Sequence, residues 1–141
     1  MARNKSPAKI AFDDLLKTSV APILKVAGCK KSGSNFFYRG DHISIVINFQ
    51  SSSGNTWDEK IFYINIGLAF DEICVHRETD ILERPKEYEC SSRGVSVRIG
   101  EIFPDAPGRY TIPENGDLDH LKIEMENVFK HLVWIILSVI G

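Results

Sequence analysis

Four polar residues near the C-terminus have the spacing of metal ligands on one side of a helix. His120 and His131 are about three helical turns apart, and Glu124 and Asn127 lie between them on the same face. A histidine and a carboxylate four residues apart can bind a metal ion. Two ligands seldom hold a metal alone, and this row lies opposite the predicted apolar side of the helix. The pattern therefore favours a solvent-exposed helix face, and we expect no metal site.

The cysteines offer nucleophiles, but no catalytic set is assembled around them. Cys29, Cys74 and Cys90 are odd in number and lack the spacing of metal or redox motifs, which is typical of reduced thiols in a cytoplasmic protein. Lys30-Lys31 follows Cys29 and would favour its thiolate, but an apolar, unreactive side chain is the commoner case. The sequence also has no glycine-rich phosphate-binding loop. We expect no catalytic residue and no cofactor.

Carboxylates outnumber basic residues in the segment from Asp71 to Glu89, hereafter the acidic segment. It has no strand or helix periodicity, so nothing holds two carboxyl groups at the fixed separation that acid–base catalysis needs. We interpret it as an exposed, loop-like surface that attracts a basic protein partner. Its candidate contact residues are Glu78, Asp80 and Glu83.

Alternation of apolar and polar residues predicts four β-strands, at residues 36–39, 42–50, 60–70 and 93–102. Every second side chain of the two longest strands is apolar, so one sheet face should be buried and the other should be polar. Residues expected in the core are Phe12, Leu16, Ile45, Ile47, Ile64, Ile66, Val97, Phe129 and Leu132.

The polar sheet face mixes amides, a phenol and a guanidinium, which is typical of an adhesive surface. An ordinary solvated face is the plainer alternative, since antiparallel sheets often leave one face wet. If the turn after the second strand centres near Asn55, Tyr63 lies opposite Asn48, and Asn65 lies opposite Val46. The candidate partner-binding residues on this face are Asn48, Tyr63, Asn65 and Arg98.

Arg39-Gly40-Asp41 is the tripeptide that cell-adhesion receptors recognise, but its context predicts a turn. It separates the first two predicted strands, and glycine and aspartate both suit tight turns. We expect Gly40-Asp41 at the tip of a hairpin, with Arg39 and His42 as its flanking pair.

Two helices should flank the sheet. The first begins at Ser6-Pro7, is interrupted by Pro22 and ends at Gly28. The second is capped by Asp117 or Asp119. The sequence thus predicts an α+β fold: an antiparallel sheet of about four strands with an N-terminal and a C-terminal helix packed against it.

Composition bounds the possible partners. The chain has 141 residues, of which 43% are hydrophobic and 26% charged, as expected of one soluble globular domain spanning the whole chain. A net charge of -2 gives no strong field of either sign, so we expect no nucleic-acid partner. The apolar end of the chain is far shorter than the ~20 residues that span a bilayer, so we expect no membrane partner. The N-terminal region carries Asp13 and Asp14 and so lacks the apolar core of a signal peptide, which together with the reduced cysteines predicts a cytoplasmic location.

Four stretches, in this order, resemble the DUF4304 family, a bacterial domain of unknown function: LKVAGCKKSGSNFFYR (24–39), VINFQSSS (46–53), FYINIGL (62–68) and YECSSRGVSVRIGEI (88–102). The resemblance implies an antiparallel sheet with flanking helices in a small cytoplasmic bacterial protein. It implies no catalytic residues, because the family has none established. Cys29 stands where an aromatic residue is expected, and the match after Ile102 is loose.

Two functions fit these observations. The first is a non-catalytic protein-binding module, for example an immunity protein that masks a toxin. The second is a small enzyme or ligand-binding domain with a pocket near Asn48, Asn65 and Arg98. A buried cleft at those residues, with a histidine or cysteine of altered pKa beside it, would favour the second; a flat, solvated face would favour the first.

Overall fold

A computed structural model describes residues 7–51, 60–112 and 118–140, and it confirms the α+β fold. One antiparallel sheet contains β1 (Lys30–Ser32), β2 (Asn35–Arg39), β3 (Ile43–Ser51), β4 (Lys60–Phe70), β5 (Gly94–Arg98) and β6 (Tyr110–Ile112). Strands β1 to β5 lie side by side in chain order. Because β3 occupies one edge of β4, β5 and β6 share the other edge. The predicted count of about four strands omitted β1 and β6, which are three residues each.

The N-terminal helical region is divided, as Pro22 predicts. Helix α1 (Pro7–Leu15) runs into a π-helical turn (Leu16–Val20), and α2 (Ala21–Val26) follows. Pro22 lies in the first turn of α2, where its missing N–H breaks no helical hydrogen bond. Gly28 has a positive φ of 93°, and the Cys29 N–H donates to the Leu24 carbonyl, so the helix ends at the predicted glycine. Ser6 lies outside the described residues.

The C-terminal helix α5 (Asp119–Ile135) continues into a second π-helical turn (Ile136–Ile140). The residue before its first turn is Leu118, so the prediction that Asp119 caps the helix is wrong, and Asp117 lies outside the described residues. Phe129 is buried, and its ring centroid is 5.8 Å from that of Phe49 on β3. This contact seats α5 on the apolar sheet face.

The core lies between the helices and one face of the sheet, as the alternation predicts. Of the nine predicted core residues, all but Val97 are buried, and Val97 packs against the core while partly exposed. Phe49 is central, because its ring lies 6.4 Å from Phe12, 6.0 Å from Phe36 and 6.2 Å from Phe62, centroid to centroid. Such aromatic contacts add to the stabilisation that burial itself provides.

The acidic segment is more regular than predicted. It contains α3 (Asp71–His76), and a 3-10 helix (Glu87–Ser92) begins within it and packs on the second sheet face. Cys90 packs with Phe37, Val46 and Ala69 in a small second core. The helices are only six residues each, too short for a periodic pattern to be visible in the sequence. The expectation of an entirely exposed loop is therefore wrong.

The turn between β2 and β3 is the predicted hairpin, displaced by one residue. Arg39 pairs with Ser44, and the Gly40 N–H donates to the Ile43 carbonyl at 2.8 Å. The tip is therefore Asp41-His42, and Arg39 and His42 are not the flanking pair. Gly40 needs no positive φ; instead, a Cβ there would lie 3.1 Å from Ile43 Cγ2, so close packing favours glycine.

The fourth predicted strand ends earlier than expected. Strand β5 stops at Arg98, and residues Ile99–Ile102 form the short helix α4. Gly100 brings this turn close to the following loop, since a Cβ there would lie 3.2 Å from the Ala106 carbonyl oxygen. In the described part of the chain, every helix is too short or too polar to cross a membrane.

Candidate functional site

A straight row of polar residues crosses four strands of the sheet. Asn35 on β2 pairs with Asn48 on β3, Asn48 pairs with Asn65 on β4, and Asn65 pairs with Arg98 on β5. The structure therefore brings three of the predicted site residues into direct cross-strand contact. We call this surface the polar face and define it by Asn35, Asn48, Gln50, Tyr63, Asn65 and Arg98.

The predicted register between β3 and β4 is wrong by two residues. Tyr63 lies opposite Gln50 rather than Asn48, and Asn65 lies opposite Asn48 rather than Val46. The shift keeps every side chain on its predicted face, because it is an even number of residues. The predicted turn centre, Asn55, lies outside the described residues.

The amides of the polar face hold one another in fixed orientations. The Asn48 Nδ2 donates to Asn35 Oδ1 at 2.6 Å. The Asn65 Nδ2 donates to Asn48 Oδ1 at 3.1 Å and to Gln50 Oε1 at 2.9 Å. Asn65 is buried, whereas Asn35 and Asn48 are half-buried and Gln50 is exposed. The row is therefore an ordered network with an accessible rim.

Tyr63 and Arg98 form the other end of the polar face. The Arg98 Cζ lies 3.9 Å from the centroid of the Tyr63 ring, within the range of a cation–π contact. Sequence position explains the contact: Arg98 is directly opposite Asn65, and Tyr63 precedes Asn65 by two residues on the same face. Arg98 is exposed and Tyr63 is half-buried, so the pair remains available to a partner.

The acidic segment contacts the sheet near Arg39 and Ser44. The Ser44 hydroxyl, on the same sheet face as Asn48, donates to the Leu82 carbonyl at 2.8 Å, and Glu83 lines a cavity with Phe37 and Arg39. The side chains of Glu78, Asp80 and Glu83 are exposed, and within the described residues no hydrogen bond or ion pair joins them to the polar face. The structure therefore does not bring these carboxylates and the polar face into one network.

Arginines anchor the acidic segment to the sheet. Arg39 binds Asp71 through two hydrogen bonds, of 2.8 and 2.6 Å, and this pairing lowers the pKa of the Asp71 carboxyl group. Arg93 donates from Nε to the Asp80 carbonyl at 2.9 Å and from Nη2 to Thr79 Oγ1 at 3.0 Å. The segment's charge is thus partly compensated, which its composition alone did not reveal.

The thiols are not poised for catalysis. Burial raises the pKa of Cys29 to about 11, so the neighbouring lysines do not produce a thiolate there. Burial, followed by the carboxylate of Glu87, raises the pKa of Cys90 to about 11. Neutral, buried thiols are poor nucleophiles. Burial of Cys29 in the core fits its interpretation as an apolar side chain.

The polar row of α5 is exposed at the first turn of the helix, as predicted, since the His120 side chain is 89% exposed. His120 Nε2 lies 3.0 Å from Glu124 Oε1. Across residues 7–51, 60–112 and 118–140, no three His, Cys, Asp or Glu side chains cluster closely enough to hold a metal ion.

The polar face lies outside the principal surface cavities. Four of these have volumes of about 750, 590, 530 and 280 Å³, and Asn48, Asn65 and Arg98 are absent from the described lining of all four. The largest of the four lies between α5 and residues 103–107. Sequence analysis missed it, although the loop prolines and the polar row of α5 both border it.

Comparison with known proteins gives a family but no activity. The model of one family, described as "Domain of unknown function (DUF4304)", matches residues 20–138. No curated protein and no solved structure matches the chain significantly.

Proposed function

The chain belongs to the DUF4304 family, whose description assigns no activity, and we propose that it is a non-catalytic protein-binding module that uses the polar face. One observation carries the proposal. An ordered row of amides ends in an arginine whose guanidinium lies over a tyrosine ring, and the row has an accessible rim.

The composition of this surface suits a protein partner. Tyrosine and arginine are enriched among the residues that contribute most to binding at protein interfaces. The amide network already fixes Asn48 and Asn65, so little side-chain entropy remains to be lost on binding. A flat polar row also offers donors and acceptors to a partner without enclosing a small molecule.

The acidic segment supports the same proposal through charge. Glu78, Asp80 and Glu83 are exposed, and their carboxylates would accelerate encounter with a basic partner surface. In this proposal the chain acts in the bacterial cytoplasm, and an immunity-type role, in which the module masks a basic toxin, fits a small domain with these surfaces.

The proposal is tested by affinity capture from the source cell with three baits. These are the wild type, the polar-face variant Tyr63→Ala/Arg98→Glu, and the matched control Lys17→Glu/Lys25→Ala, whose two exposed positions lie in the N-terminal helical region that covers the opposite sheet face. We expect a partner that the wild type and the control both enrich and the polar-face variant loses. Titration with the purified partner should then show an affinity reduced by tenfold or more, equivalent to about 1.4 kcal/mol.

Two outcomes would contradict this proposal. The first is that the polar-face variant captures the same proteins as the wild type, in equal amounts. The second is turnover of a small molecule that Asn48→Ala or Arg98→Ala abolishes, because the surface would then be catalytic rather than a docking site.

A further inference from the structure

The cavity between α5 and residues 103–107 is a second candidate site, separate from the polar face. Its volume of about 750 Å³ is in the range of small-molecule sites. Helix α5 contributes Glu124, Asn127 and His131, whose spacing of three and four residues places them along one side of the helix. Most of the polar row that the sequence presents as a solvated helix face therefore borders a cavity.

The rest of the lining is largely apolar and aromatic. Phe103, Tyr110 and Trp134 contribute rings, and Val128 and Ile135 contribute aliphatic surface. Trp134 is 65% exposed, which is unusual for so large an apolar side chain on a helix whose other aromatic residue, Phe129, is fully buried. Such rings can pack against the apolar body of a ligand, and a cation can lie over the face of a ring.

Tyr110 adds an unsatisfied polar group to the lining. Its ring stacks on Phe62, with centroids 5.3 Å apart, so it is held in place. Its hydroxyl is buried and has no hydrogen-bond partner among the described residues. Burial, followed by the carboxylate of Glu124, raises the pKa of Tyr110 to about 12, and both residues line the cavity. Buried polar groups without partners are rare and costly, so the end of the cavity at Tyr110 favours a polar ligand atom.

The charged residues of the cavity lining indicate which class of ligand it can bind. Glu124 and Asp105 are acidic, and the described lining residues include neither lysine nor arginine. The pair that Glu124 makes with His120 is at the surface, where ion pairs are weak and a ligand cation can displace them. Acidic groups beside aromatic rings are the combination that recognises ammonium groups.

We propose that this cavity binds a small hydrophobic amine in its protonated form. The ammonium group lies at Glu124, and the apolar body lies against Val128, one helical turn away, and the ring of Phe103. The site does not depend on the polar face, so it can be tested, and can fail, without reference to the protein-binding proposal.

The first experiment compares three probes that share a phenyl body and differ in charge: 2-phenylethylamine, 2-phenylethanol and 3-phenylpropionate. Binding to the full chain is measured by calorimetric titration. We expect the amine to bind about tenfold more tightly than the alcohol, as a charge-assisted hydrogen bond would give, and the acid to bind least. No amine binding at millimolar concentration, or binding of the acid as tight as that of the amine, would overturn the proposal.

Two matched pairs of variants locate the site. Glu124→Gln should weaken amine binding about tenfold and leave alcohol binding unchanged, whereas Glu126→Gln, on the same helix but outside the lining, should change neither. Asn127→Trp should fill the cavity and abolish binding of both ligands, whereas Lys130→Trp adds the same bulk at an exposed position outside it. Equal effects within either pair would contradict the assignment. Circular dichroism of each variant verifies that it is folded before binding is measured.

Discussion

The guanidinium of Arg98 lies over the ring of Tyr63, with Cζ 3.9 Å from the ring centroid, although the two residues are on different strands. The contact depends on the register between β4 and β5, because Arg98 reaches Tyr63 diagonally from its position opposite Asn65. It joins one end of the polar face to the edge of the sheet. Removing this contact therefore tests the register between β4 and β5, the stability of the sheet and the proposed binding surface.

A double-mutant cycle should detect this contact in the free protein. Tyr63→Leu and Arg98→Ala, measured singly and together by urea unfolding, should show a coupling of about 0.5–1 kcal/mol, as for exposed cation–π pairs. A control cycle of Arg98→Ala with Tyr88→Leu should give no coupling, since Tyr88 is exposed and lies in the 3-10 helix. Equal couplings in the two cycles would show that Arg98 does not interact specifically with Tyr63.

The isoleucines of the central strands should dominate stability. Ile47 and Ile66 are cross-strand partners and are both buried, so Ile47→Ala or Ile66→Ala should lower the free energy of unfolding by about 2–5 kcal/mol. Ile123→Ala is the matched control, because Ile123 is 58% exposed and its loss should change stability by about 0.5 kcal/mol or less. A loss below that value at Ile47 would contradict the core assignment.

Docking of the 3-10 helix on the sheet should depend on Gly67. A Cβ at this position would lie 2.7 Å from Cys90 Sγ and 2.9 Å from Val46 Cγ1, so Gly67→Ala forces Cys90 or Val46 to move, and we expect the 3-10 helix to shift. We expect a stability loss of about 1–3 kcal/mol and faster labelling of Cys90 by a thiol reagent. In the wild type that labelling should be slow at pH 8, because the thiol is buried and its pKa is about 11.

Gly108→Ala is the control for Gly67→Ala, since an added Cβ there meets nothing within 4 Å. Mass spectrometry of the labelled peptides separates Cys90 from Cys29 and Cys74. Unchanged labelling of Cys90 in Gly67→Ala would show that the 3-10 helix is not held by this contact.

The Arg39–Asp71 pair should contribute to acid sensitivity. Pairing lowers the pKa of Asp71 in the folded protein, so the pair stabilises the fold at neutral pH, and this stabilisation is lost as the pH falls below about 4. Asp71→Asn should therefore be less stable than the wild type at pH 7 and should lose less further stability on acidification. Asp80→Asn, whose side chain is exposed, should follow the wild-type pH profile. Parallel profiles for Asp71→Asn and the wild type would contradict the assignment.

Charge reversal of the acidic segment should change the rate of association with the partner more than it changes stability. The triple variant Glu78→Lys/Asp80→Lys/Glu83→Lys should associate more slowly, and its association rate should depend less on salt. All three positions are exposed, so the unfolding midpoint should stay close to that of the wild type. Stopped-flow mixing at several salt concentrations measures the effect, and an unchanged rate would exclude steering by these carboxylates.

Period-two alternation explains why the sheet was largely predictable from sequence. It assigned Ile45, Ile47, Ile64 and Ile66 to the core and Asn48, Asn65 and Arg98 to one opposite face. It did not give the register, because any shift of an even number of residues preserves the faces. The length of the connection between β3 and β4 sets that shift, and the alternation does not encode it.

Other errors have a common physical origin in short elements. Strands β1 and β6 have three residues each, and α3 and the 3-10 helix have six, so none shows more than about two periods of its pattern. Alternation continues past Arg98 through Ile99, but the chain turns there because Gly100 packs against the Ala106 carbonyl. Tertiary contacts of this kind, which also create the cavity beside α5, depend on how the elements pack, so local sequence patterns do not predict them.

The strand order has a consequence for how the chain is made. Strands β1 to β5 pair with their neighbours in sequence, so during vectorial synthesis each strand can join the sheet as it leaves the ribosome. Helix α5 is translated after all of these strands, yet its Phe129 contacts Phe49 in the centre of the core. Until α5 is made, only the N-terminal helices can cover the aromatic face of the nascent sheet, and the part that α5 covers in the folded protein stays exposed.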